Sequence, residues 1–146
     1  MKRILVCLDA SPRAPQVLKT AADLAQRLGA KLCLLRAVGL PPEVDQEMFV
    51  HAAADLIDTL KAKAKNDLAG IAKHVPDTMI DSVDVLIGTP WDTICREAKS
   101  IDADLVVIGS HGYSGFDRII GKTAAKVVNH CDRSVLVVRN ADVGAK

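Results

Sequence analysis

Aromatic residues are nearly missing. Two Phe, one Tyr and one Trp make up 3% of the 146-residue chain, too few to build the stacking platforms of a single-strand nucleic-acid binder. A dominant charge is missing too: 19 basic against 18 acidic residues leave a net charge of +1, without the basic excess that a general nucleic-acid surface needs. No apolar run approaches the roughly 20 residues of a membrane-spanning helix. The apolar opening after Met1-Lys2-Arg3 is broken by Asp9, too early for a secretion signal. Neither nucleic acid nor membrane is expected as a partner, and a cytoplasmic location is expected. The four cysteines, Cys7, Cys33, Cys95 and Cys131, never form a C-x-x-C pair. They are expected as free thiols in a reducing compartment. His51, His74, His111 and His130 are scattered without ligand spacing, so no metal site is expected. No nucleophile is identifiable beside a base, and no catalytic residue is assigned.

What the chain does have is glycine in one place. Residues 105–123 read LVVIGSHGYSGFDRIIGKT and hold four of the nine glycines. Four branched apolar residues make a buried strand, the glycines clear the backbone of side chains, and Thr123-Ala124-Ala125 opens a helix. Bare amides ahead of a helix N-terminus are what holding a phosphate requires. Arg118 and Lys122 add positive charge nearby. Two known phosphate loops do not fit. Gly121-Lys122-Thr123 ends like a Walker A loop, but Gly115 and Gly121 enclose five residues where that motif has four. Gly109, Gly112 and Gly115 are spaced by three, so the G-x-G of the dinucleotide fingerprint is absent.

The rest of the chain alternates strand and helix. Residues 3–8 are continuously apolar after Arg3, as in a strand covered on both faces. Ser11 is expected to cap the next helix with Pro12 in its first turn, and Val17, Ala21, Leu24, Ala25 and Leu28 form its apolar stripe before Gly29 closes it. Residues 31–38 form a second strand. A long helix is expected over 43–73, with Leu56, Leu60, Ala64, Leu68 and Ile71 on one face. Asp81 and Asp84 interrupt residues 80–87, which marks an edge strand. Thr89 as cap and Pro90 at the first position start a helix whose buried stripe is Ile94, Ala98 and Ile101. Trp91 is expected in packing rather than stacked on a base. Ala124, Val127, Val128 and Cys131 recur at helical spacing, residues 135–138 form the last strand, and 141–146 are a polar tail.

Five strands alternating with four helices predict one α/β domain over 1–146: a doubly wound parallel sheet of order 3-2-1-4-5 with helices on both faces. In that order the ligand crevice lies between strands 1 and 4, and the Asp9 loop faces the glycine loop across it. The last strand sits at an edge without charge or proline, which predicts a homodimer through it.

The run Gly109-Ser110-His111-Gly112 through Gly121, the helix after it, the ending Ser134-Val135-Leu136-Val137-Val138 and the opening Ile4-Leu5-Val6-Cys7-Leu8-Asp9 together resemble the universal stress proteins. ATP-binding members of that family carry G-x-x-G, nine residues, then G followed by Ser or Thr. Here eight residues separate Gly112 from Gly121, and Lys122 holds the hydroxyl position with Thr123 one place later. The resemblance implies that Asp9 and the backbone at Ala37 and Val38 approach adenine and ribose. It further implies that Gly109, His111, Gly112, Gly121, Lys122 and Thr123 line the phosphates. ATP carrying Mg or Mn is the expected ligand, with at most slow hydrolysis, in a stress-response or regulatory module that dimerises. At the departure from the pattern, the Lys122 ammonium is expected to reach the β- or γ-phosphate, the alternative being the Thr123 hydroxyl. A family member that interacts with other proteins without binding nucleotide is the alternative function. A receiver domain of the same architecture needs an acidic pair after strand 1 and a Lys after strand 5, where this chain has Asp9 alone and Arg139. An adenylating enzyme needs its own phosphate signature near strand 1, which Asp9-Ala10-Ser11-Pro12 does not supply.

Overall fold

The computed structural model describes residues 1–39, 46–110 and 120–139, with side chains over the same residues except 46–53. Among them β1 (Arg3–Cys7), β2 (Lys31–Val38), β3 (Ile80–Ile87), β4 (Leu105–Gly109) and β5 (Ser134–Val138) form one sheet. Its order is β3-β2-β1-β4-β5, every pair parallel. The helices are α1 (Ala14–Leu28), α2 (Gln46–Ala72), α3 (Pro90–Ser100) and α4 (Lys122–His130). The predicted doubly wound order is the one observed.

Strand alternation sorts the core into two layers. Ile4, Val6, Leu32, Leu34 and Val107 point to the side covered by α1 and α2, where Val17, Leu18, Ala21 and Leu68 meet them. Leu5, Cys7, Cys33, Leu35, Val106 and Ile108 point to the other side, against Ile94 and Ala98 of α3 and Ala124 and Val127 of α4. Each large side chain sealed this way contributes about 1.5–3 kcal/mol. That is why the inner strands carry no polar alternation: past the charged residues Arg3 and Lys31 that open β1 and β2, Arg36 is the one charge in them. Outer β3 is partly wet, and its register against β2 shifts between Leu32 and Cys33, with Asp81 turned to Arg3 at 3.6 Å.

Several local expectations are corrected. α1 starts at Ala14, with Arg13 at the cap position and Pro15 in the first turn. Asp9 and Ser11 instead make successive side-chain turns. The Ser11 amide donates to Asp9 Oδ1 at 3.0 Å and the Arg13 amide donates to Ser11 Oγ at 3.2 Å, which holds residues 9–12 out of the helix. Leu28 is 45% exposed. Gly29 turns the chain at φ 68° and Ala30 returns its amide to the Ala25 carbonyl, so Ala30 fills the buried place. Thr89 occupies the cap of α3, but its side chain makes no capping bond. Val128 is 47% exposed, while Ala124 and Val127 are buried.

Candidate functional site

At the carboxyl ends of β1 and β4 the two connections leave in opposite directions, and a cavity of about 200 Å³ opens between them. Leu8, Asp9, Ser11 and Arg13 form one wall. Gly109, Ser110, Gly121, Thr123 and Ala124 form the other, with Leu35 and Ala37 of β2 and Pro90 and Ile94 of α3 also lining it. The floor is apolar and the rim polar, the usual build of a small-molecule site.

Of the residues assigned from the sequence, Asp9, Ala37, Gly109, Gly121 and Thr123 line the cavity. Val38 follows Ala37 on β2, and its carbonyl accepts the Gly88 amide at 2.9 Å. Lys122 opens α4 with an exposed side chain and is not part of the lining. His111, Gly112 and Arg118 lie outside the described residues.

The wall from β4 is built for an anion. Gly121 caps α4 in an extended conformation, and the helix ladder begins with the Ala125 amide on the Gly121 carbonyl at 2.9 Å. The amides of Lys122, Thr123 and Ala124 are left outside that ladder. They stand at the positive end of the helix dipole, beside the cavity that Thr123 and Ala124 line. The wall from β1 is built for hydrogen-bond donors. Asp9 Oδ1 is taken by the Ser11 amide, and the carboxylate is exposed, so it can accept hydrogen bonds at the cavity rim. Among the described residues no group of three or more His, Cys, Asp or Glu is placed to hold a metal ion.

Sequence reasoning missed Ser11, Ser110 and Arg36 as parts of this region. Ser11 and Ser110 are buried polar residues at the two loop starts, and Arg36 is a 5%-exposed arginine inside β2. The signal for Arg36 was visible: a charge interrupting the run Leu32-Cys33-Leu34-Leu35 of a strand covered on both faces. Trp91 is in packing, as expected, against His130 with ring centroids 4.7 Å apart on the side of α3 and α4.

A wider groove of about 1220 Å³ lies between α1 and the segment from α2 to β3, lined by Lys19, Gln26, Lys31 and His74 among others. It opens at the amino ends of β2 and β3, away from the crevice where α/β sheets bind ligands. The first turn of α1 borders it through Pro15 and Gln16, but among the described residues no loop from the carboxyl end of a strand lines it, so the smaller cavity is the better candidate despite its size.

The family pattern of the universal stress proteins matches residues 1–139. Universal stress protein A homolog 2 of Coxiella burnetii is 31% identical over 139 residues, covering 94% of each chain. Among solved structures, the protein MJ0577 superposes with a TM-score of 0.79 at 25% identity, covering 94% of each chain. Universal stress protein UspA from Lactobacillus plantarum superposes with a TM-score of 0.77 at 28% identity, over 94% of this chain and 97% of that one. Two more distant structures of the same fold are a universal stress protein in complex with cAMP, at 23% identity and TM-score 0.62, and the Archaeoglobus fulgidus protein in complex with dAMP, at 21% and 0.60. No helix among the described residues is long and apolar enough to cross a membrane. By the extent of its match, from the first strand to the last, this chain belongs to the universal stress protein family.

Proposed function

We propose that this protein is a single nucleotide-binding domain that holds ATP, with Mg or Mn carried on the phosphates, and acts as a stress-response or regulatory module. The observation that carries the reading is the meeting of two unlike walls across one cavity: the Asp9 carboxylate on one side and the unladdered amides at the start of α4 on the other. A carboxylate suits the hydroxyl and amino donors of a nucleoside, and helix-terminal amides suit its phosphates. At about 200 Å³ the cavity is smaller than the roughly 300–1,000 Å³ of common ligand clefts. It therefore takes the adenosine end, and the phosphates run outward along residues 121–124. The cAMP and dAMP bound by two relatives support an adenine ligand.

The described residues fit a metal only as a passenger of the nucleotide. They supply no ligand cluster, and a divalent ion would neutralise phosphate charge that the amides of residues 122–124 meet from the other side. Without an identifiable general base, hydrolysis is expected to run far below the roughly 10 per second of a median enzyme.

Calorimetric titration with ATP, AMP and adenosine tests the reading. At a hundredfold excess over Kd the ligand should stabilise the fold by about 2.7 kcal/mol, a rise in Tm of roughly 5–10 °C. No heat and no thermal shift at millimolar ATP would leave the protein as an interaction module without a nucleotide.

A further inference from the structure

Arg36 breaks the pattern of its strand. By alternation it belongs with Leu32 and Leu34 on the side of α1 and α2, where every neighbour along the strand is apolar, yet it is a guanidinium that is only 5% exposed. Two of its three nitrogens go to one place. Nε donates to the Leu8 carbonyl at 3.0 Å and Nη2 donates to the Asp9 carbonyl at 2.9 Å. Nη1 lies 3.5 Å from Asp67 Oδ2 on α2.

The two carbonyls belong to the peptide planes on either side of the Asp9 Cα. Since peptide planes are rigid and only φ and ψ rotate between them, pinning both planes sets the direction of the Asp9 side chain. The Ser11 amide then takes Oδ1 at 3.0 Å, and the carboxylate is left aimed by its backbone. An apolar side chain at 36 would fill the same layer without the desolvation of a charge, but it would leave the Leu8 and Asp9 carbonyls without their donor. What arginine supplies here is the planar fork of donors that reaches both carbonyls at once.

We propose that Arg36 is the positioning residue for the nucleoside end of the cleft: it fixes Asp9 through the Leu8 and Asp9 carbonyls, and Asp67 ties that arrangement to α2. The proposal rests on the adenylate reading of the cavity for its effect on affinity, and on geometry alone for its effect on the loop. Asp67 is half exposed, so its ion pair is weak and serves to orient the guanidinium rather than to hold it.

The experiment uses Arg36→Lys, Arg36→Met and Asp67→Asn, with Leu68→Val on the same helix as a core variant that touches neither carbonyl. Amide exchange at Ser11, read by NMR without nucleotide, should quicken in both Arg36 variants and stay at the native rate in Leu68→Val. Adenosine, AMP and ATP are then titrated at a temperature where each variant is folded. Both Arg36 variants should lose about ten- to a hundredfold for all three ligands alike, the scale of loss when a binding group is misplaced by about 1 Å. Asp67→Asn should lose less than either. A folded Arg36→Lys with native adenosine affinity would overturn the proposal, as would a loss confined to ATP or an equal loss in Leu68→Val. If Arg36→Met does not fold, Arg36→Lys decides. If the native protein binds no adenylate, the functional reading fails by itself, and unchanged Ser11 exchange is then the result that sinks the role of Arg36.

Discussion

The amide of Gly121 donates to the carbonyl of Ser110 at 2.6 Å, closing the long connection between β4 and α4 at its neck. Ser110 in turn gives its own amide to Val138 of β5 at 2.9 Å. The start of α4 is thus hung from the end of the sheet rather than from the glycine loop. The amides of residues 122–124 follow directly on this tether.

Beyond that neck the first turn of α4 separates its hydroxyl from its ammonium. Thr123 lines the cavity, and Lys122, next to the cap, is exposed. Thr123→Val is expected to weaken ATP by roughly ten- to a hundredfold, the loss of a hydrogen bond to a charged group worth about 1.5–3 kcal/mol. Lys122→Ala is expected to change it by less than about threefold at physiological salt, where exposed charges are screened. Titrating ATP and AMP into both variants checks this; a large loss of ATP with AMP unchanged in Lys122→Ala would give the contact to the ammonium instead.

β5 ends the sheet with one side of its backbone unpaired among the described residues. Val135 and Val137 pack against the α3 and α4 layer, while Leu136 is 36% exposed on the opposite side. A strand edge with so little charge invites pairing with a second copy. Light scattering at micromolar concentration should give a dimer mass for the native chain and a monomer mass for Leu136→Lys, which leaves the core untouched. A native monomer would remove the dimer.

Burial pushes the Cys95 thiol from its ordinary 9.0 up to about 11, with neighbouring Cys131 adding to the shift. Cys7, fully buried, is raised further. Alkylation at Cys95 in the native protein at pH 7.5, read by mass spectrometry of its peptide, should therefore run at least about tenfold slower than that of a free thiol, the fall in thiolate being partly offset by higher nucleophilicity. The sign for stability follows. A thiol whose pKa is raised on folding stabilises the fold below the unfolded value, and that contribution is lost as pH climbs from about 9 towards 11. Urea midpoints between pH 7.5 and 10.5 should fall, and a Cys95→Ala variant should fall less steeply; parallel profiles for the two would contradict the assignment.

Asp104 joins the starts of β1 and β4. Its Oδ2 accepts the Lys2 amide at 2.7 Å and the Arg3 amide at 3.0 Å, and these bonds hold the carboxyl below its usual pKa. A lowered carboxylate stabilises the fold above the unfolded value of 3.8 and stops doing so as pH drops below it. Asp104→Asn should lower the midpoint at pH 7 and narrow its gap to the native protein as pH falls towards 3. A gap that stayed constant with pH would show that the carboxylate charge plays no part.

Much of the fold was legible because its signals are local. Residues 31–38 form β2 with the bounds expected, Gly29 turns the chain where expected, and the stripe Leu56, Leu60, Ala64, Leu68 and Ile71 is the covered side of α2. Periods of 2 and 3.6, together with glycine and proline as punctuation, are written into the residues themselves. Strand order followed from the same signals, since a right-handed crossover leaves few ways to stack five such units.

Contacts between distant residues were a different matter. Ser11 looked like a helix cap and became a link between Asp9 and Arg13, because the loop found partners for its amides before the helix began. From the sequence Lys122 was the expected contact and Thr123 the alternative, and only the rotation of α4 about its own axis put Thr123 rather than Lys122 on the cavity. The sequence by itself determined the elements, their layering and the end of the sheet where the cavity between β1 and β4 opens, because burial on two faces and chain reversal are properties of short stretches. The tertiary structure alone decided that Arg36, 27 residues from Asp9 in the chain, holds the carbonyl of Asp9. A hydrogen bond depends on distance and angle in space, and no spacing along the chain encodes either.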